Sequence, residues 1–259
     1  MLRMNSVFFA FVLSTTFISS SPFAQSSSNI QNTSQGSQNA SSASSNQTSS
    51  NQANAIAMLF GEPITLADIT PDQDTISKIR KQAPDKVTQL VTQMRAINLA
   101  NQIIEAVLSD YASKNNIKVD ESLVEAFKQK FGSEYEKNNK KIAAKKDAQQ
   151  EDSDLKESTS AEDTASIDEI ASTQVERWQI EKHLYNTYGG VVIFEQSNPS
   201  MPVEAYLTLM KEYASAGKFN VVDAALAERF WAAFEPPYEF VIAPEDVDFN
   251  QPWLSLIHI

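Results

Sequence analysis

Between Val87 and Tyr111, apolar side chains return at steps of mostly three and four: Val87, Leu90, Val91, Met94, Ile97, Ile104, Val107, Leu108 and Tyr111. That spacing aligns them along one side of a helix. Pro84 and the Asn115-Asn116 pair bound it at about 84–114. Asn101 interrupts the stripe, so the helix is amphipathic and needs other elements to cover one face. Most of the elements available for that are also helices.

Asp120 caps a second helix that carries Leu123, Val124, Phe127 and Phe131 on one face before Gly132. A short connection makes the two an antiparallel pair. Upstream, Ile56 to Phe60 reads as a short strand, Gly61 and Pro63 mark a turn, and Thr65 with Asp68 has the spacing of a capping box. Thr70-Pro71 offers a further helix start, with Pro at the first helical position. Downstream, a helix is predicted from near Ser166 to Gly189-Gly190, with Ile170, Val175, Trp178, Tyr185 and Tyr188 on a broad face. Val191 to Phe194 is a strand, 202–216 a helix, Phe219 to Val221 extended, Asp223 to Phe234 a helix and Tyr238 to Ile242 a last strand. The expected fold class is mainly α: a helical module at 55–135 and a smaller α+β C-terminal unit at 167–253.

Around these lie segments of different character. Residues 1–24 have the form of a signal peptide, with Arg3 ahead of an apolar run from Val7 to Ile18 and small residues after it. The run is shorter than the roughly 20 residues that span a bilayer. Residues 25–54 are almost wholly Ser, Asn, Gln, Thr, Ala and Gly, which predicts a disordered tether. Residues 136–166 pass from Lys-rich to acidic with little apolar content, which predicts a fraying helix followed by a charged disordered linker between the two units. The tail 254–259, Leu-Ser-Leu-Ile-His-Ile, reads as the in-frame translation of a sequencing adapter, and on that reading the natural chain continues past Trp253.

The chemistry legible in local motifs is mostly negative. Without Cys there is no thiolate nucleophile, disulfide or Cys-ligated zinc site. A net charge of −12 argues against nucleic acid as a partner. Apart from the 254–259 tail, His183 is the sole histidine, and no Gly-x-Ser-x-Gly elbow displays a serine to it. No catalytic residue, metal ligand set or cofactor site is assigned, and no segment after the signal is apolar for long enough to cross a membrane.

Two stretches carry a family resemblance. Phe60-Gly61-Glu62-Pro63-Ile64-Thr65 and the run from Asn101 to Phe127 (NQIIEAVLSDYASKNNIKVDESLVEAF) resemble the N-terminal helical module of SurA-like, parvulin-associated periplasmic chaperones. The likeness covers residues 58–132, and no parvulin-like domain is seen between 136 and 253. Prolyl isomerase activity is therefore implied only if such a domain follows Trp253. What the resemblance does imply is binding of unfolded or extended polypeptide in the periplasm of a Gram-negative bacterium. An apolar groove for that chain is expected from Met94, Ile97, Ile104, Leu108 and Tyr111 together with Trp178, Tyr185 and Tyr188. The rival readings are an enzyme of unknown class built around His183 and Tyr185 in the C-terminal unit, and a non-catalytic assembly or structural factor of the envelope.

Overall fold

A computed structural model describes residues 54–149, 166–195, 198–250 and 252, with side chains between 138 and 149 left out. The predicted signal peptide, nearly all of the tether, the acidic half of the linker and the 254–259 tail lie outside the described residues.

Strands β1 (Ala55–Leu59) and β2 (Glu62–Thr65) form an antiparallel hairpin. Its two-residue turn takes positive φ at both Phe60 (49°) and Gly61 (89°), the combination whose twist matches the strands it joins. A side chain at the first position is costly there, and Phe60 is held by edge-on packing with Tyr213, at 6.3 Å between ring centroids.

Helix α1 (Leu66–Ile69) follows the predicted capping box: Asp68 Oδ2 accepts from both the amide and the hydroxyl of Thr65, each at 2.7 Å. Helix α2 (Gln73–Gln82) begins later than Pro71 would set it. Asp72 offers the cap acceptor, bonding the Thr75 amide at 2.7 Å, while the Thr70 hydroxyl donates back to the Leu66 carbonyl. A 3₁₀ turn at Pro84–Lys86 leads into α3 (Val87–Lys114), the long amphipathic helix.

Helix α4 (Glu121–Gln149) passes through Gly132, where a stop was expected, and takes in the Lys-rich stretch expected as a fraying helix. An interior glycine costs a helix only about 1 kcal/mol, and the Lys-, Ala- and Glu-rich residues after it are good helix formers. Helix α5 (Ile167–Tyr188) keeps its predicted bounds. Ser166 and Glu169 form a reciprocal cap at one end, and Gly189 at φ 65° closes the other. Then come β3 (Ile193–Glu195), β4 (Asn198–Met201), α6 (Val203–Ser215), β5 (Phe219–Val221), α7 (Ala224–Ala232) and a 3₁₀ turn at Pro244–Asp246. The fold is mainly α, and no described helix is long and apolar enough to cross a membrane.

One expectation about assembly is corrected. Helix α4 lays Val124 and Phe127 on Ala171 and Val175 of α5, forming a small separate cluster, rather than pairing with α3. Lys128 reinforces that contact by bridging Glu125 (2.8 Å) and Asp168 (2.6 Å). The stretches 55–135 and 167–253 contribute to one core. β5 pairs antiparallel with β1, giving the sheet order β2-β1-β5. One cluster then takes Ile64 and Ile69 from the front, Leu99, Ile103 and Val107 from α3, Leu184 from α5, and Tyr206, Leu209, Phe230 and Phe234 from the end. The stripe of α3 is broader than one neighbour can cover, so elements from both ends of the chain converge on it. Because α4 is anchored by its own small cluster, Phe127→Ala is expected to cost about 3 kcal/mol locally. Hydrogen exchange would show α4 amides losing protection while those of α3 keep theirs.

Candidate functional site

A polar junction lies where α5, α6 and β4 meet. On α5, Arg177 and Glu181 are one turn apart, and Glu181 is only 1% exposed. Glu181 Oε1 accepts from Arg177 Nε (2.9 Å), the Tyr206 hydroxyl (2.8 Å) and Asn198 Nδ2 (2.7 Å), and the Arg177 guanidinium also donates to Tyr206 at 3.2 Å. Burial, with Glu181 adding to it against the opposing Arg177, raises the Tyr206 phenol well above its usual range and keeps it a neutral donor. Burial pulls Arg177 down, but Tyr206 and Glu181 outweigh it and leave the guanidinium above its ordinary value. Among the described residues, no buried side-chain nitrogen or oxygen lacks a partner. The junction is therefore a closed clamp with its polar groups already engaged, not a place that would hold substrate.

Two more carboxyls surround Arg177. Burial, only partly offset by Arg177, raises Glu105 on α3 and Glu195 on β3 above the ordinary glutamate value of 4.5. Both bind protons more readily when folded, so stability rises as pH falls from 7 through their folded values toward 4.5. Asp110, lowered by hydrogen bonds from Lys114 and Tyr213, acts in the opposite sense, as does Asp72, lowered by the Thr75 amide. Their contribution is lost as pH falls below 3.8 through their folded values. Calorimetry is therefore expected to give a Tm that climbs on mild acidification and falls in stronger acid. Glu105→Gln would flatten the climb.

A second set of polar contacts fastens α3 to α5 and α6. The Tyr111 hydroxyl lies 2.7 Å from His183 Nδ1, with the two rings edge-on at 5.5 Å. Tyr188 donates to Glu212 and Tyr213 to Asp110, each at 2.7 Å. Burial first, and then the neighbouring carboxylates, hold both phenols above their usual range. His183 is thus the partner of a buried tyrosine at a helix contact.

The eight residues expected to line an apolar groove do not form one. Ile104, Leu108 and Tyr111 are core residues, and Trp178 is buried with Lys182 Nζ 5.0 Å over its ring. Tyr185 stacks on Phe249 at 4.8 Å, and Tyr188 is tied to Glu212. Met94 and Ile97 are half-buried. Ile97 and Ile104 border a small apolar cleft against Phe230 and Phe234 of about 20 Å³. Small-molecule sites run from about 300 to 1,000 Å³.

The open apolar surface lies elsewhere. β3 pairs with β4 on one side and is flanked by residues 240–242 on the other, through an Ile193–Val241 bridge. The Phe194 amide donates to the Phe240 carbonyl and the Ile242 amide to the Val192 carbonyl, both at 2.9 Å. This alternation turns the amide and carbonyl of Val241 away from β3, so the extended backbone at this isolated bridge presents an outward edge. Phe194 lies opposite Phe240 in this register. Phe194 is 50% exposed, Phe240 74% and Val241 54%. Phe240 also sits at φ 52°, a backbone region that a bulky residue rarely occupies. Both segments were visible in the sequence as short apolar runs, but the strand expected at Tyr238 to Ile242 is reduced to the single bridge at Val241, where Phe240 at φ 52° breaks the extended backbone. Their pairing, and the exposure of their phenylalanines, were not visible there.

No protein-family model matches the chain, and no curated protein or solved structure shows significant similarity to it.

Proposed function

We propose that the protein binds extended, non-native polypeptide, and that the Phe194–Phe240 edge is where it does so. The supporting observation is the coincidence of two exposed aromatic rings with the outward-facing backbone of the bridge at Val241. An extended segment can add to such an edge through main-chain hydrogen bonds while its alternate side chains meet the rings. The resemblance of residues 58–132 to SurA-like chaperones supports the same reading and, with it, a bacterial-envelope location. In this reading the core residues Ile104, Leu108, Tyr111 and Trp178 build the scaffold, and the client meets the far side of β3.

The test is light scattering from an envelope protein diluted out of urea, with and without the full chain in stoichiometric excess. Suppression of aggregation is expected for the wild type, and its loss for the Phe194→Ser, Phe240→Ser double variant. Both side chains are at least half exposed, so the double variant is expected to keep its fold and its Tm. Equal suppression by both proteins would remove the edge from the mechanism, and no suppression by either would end the chaperone reading.

A further inference from the structure

Resting on that polypeptide-binding reading, we infer that the segments taken up at the Phe194–Phe240 edge are cationic as well as apolar: extended stretches in which aromatic or aliphatic residues are flanked by Lys or Arg. The chain around the edge contains no basic residue from Gly189 to Met210, nor from Phe230 to Pro252. The first stretch carries Glu195 and Glu204, and the second Glu235, Glu239, Glu245, Asp246 and Asp248.

The fold brings these acids to the aromatic pair. Glu195 follows Phe194 in β3, and the exposed Glu239 immediately precedes Phe240. The Val191 amide donates to the Glu204 carboxylate at 2.9 Å, which places that carboxylate just ahead of β3. Arg177, the cation felt by Glu195, is held on the inner side by Glu181 and Tyr206. The two stretches that carry the apolar knob thus supply only acidic charges to its rim. A segment with acidic flanks would meet like charges there, whereas a basic one gains several exposed pairs of about 0.2–1 kcal/mol each.

Fluorescence polarisation on the full chain with three labelled nonapeptides tests this. One alternates Lys with Phe and Leu, the second replaces Lys by Glu, and the third keeps Lys but replaces the apolar residues by Ser. The Lys/apolar peptide is expected to bind about tenfold more tightly than either of the others, with an affinity that falls as salt rises. Phe194→Ser with Phe240→Ser removes that binding. Glu235→Gln with Glu239→Gln, both at exposed positions, brings the Lys/apolar peptide toward the level of the Glu/apolar one.

If the Lys/apolar and Glu/apolar peptides bind equally and both depend on the two phenylalanines, the charge preference is overturned and polypeptide binding at the edge stands. If the Lys/Ser peptide binds as well as the Lys/apolar one, the attraction comes from the overall charge of −12 rather than from the edge, and the inference falls. If no peptide binds, the polypeptide-binding reading falls with it.

Discussion

Glu181→Ala is expected to destabilise the protein by about 3–5 kcal/mol, the cost of leaving a buried charge without its partner. Three donors converge on Glu181 Oε1, from Arg177, Tyr206 and Asn198, and removing the carboxylate leaves all three without their acceptor. The Arg177 side chain is only 16% exposed, so water cannot fully replace what is lost. Glu181→Gln keeps a carbonyl acceptor at the same reach and is expected to cost less. Replacing the ion pair on both sides, with Arg177→Met and Glu181→Leu, is expected to cost less than Glu181→Ala because no unpaired charge remains, yet to stay below the wild type because the buried Tyr206 and Asn198 donors still lose their acceptor. Urea denaturation of the three variants measures the ordering. A Glu181→Ala cost below about 1 kcal/mol would mean that the junction is wet, and the clamp would have to be abandoned.

Phe234→Ala is expected to cost a similar 3–5 kcal/mol. Its ring is fully buried, stacked with Tyr206 at 6.3 Å and set edge-on to Phe230 at 5.5 Å. The more telling readout is which transition moves. Leu99 on α3 is 1% exposed and belongs to the same cluster, although it comes from the other half of the chain. Leu99→Ala and Phe234→Ala are therefore expected to shift one common unfolding midpoint, followed by far-UV and near-UV signals together. Two separable transitions, each sensitive to one of the variants, would restore the picture of two independent units joined by a linker.

The shared core was not legible in the sequence, for a physical reason. Local pattern carries the information for single elements: the stripe from Val87 to Tyr111, the Ser166–Glu169 cap and the glycines after Tyr188 set two helices where they are found. It carries little about partners. β5 is three residues long, Phe219–Val221, and nothing in so short a run says that its neighbour is β1. Periodicity likewise marks the apolar face of α3 without saying what covers it. Ile104, Leu108 and Tyr111 could thus look like groove or core alike until α5, α6 and α7 were in place. Glu181 sits in Ile180-Glu181-Lys182-His183, which reads as an ordinary solvated helix, and only the arrival of Tyr206 and Asn198 makes it a buried centre. The exposed edge was missed for the converse reason. Phe194 and Phe240 are the residue type normally counted into a core, and each lies in a run too short to show which side faces water.

The central position of β1 also affects how the protein can be made. A ribosome delivers the chain from its N-terminus, so β1 and β2 emerge early, while the strand that completes their sheet ends at Val221 and the phenylalanine that seals the shared core is Phe234. Until those residues appear, β1 has one bare side and the stripe of α3 has only part of its cover. The native state is therefore reached late and nearly all at once, and a nascent chain stopped short of Phe219 is held in an open, incompletely packed form.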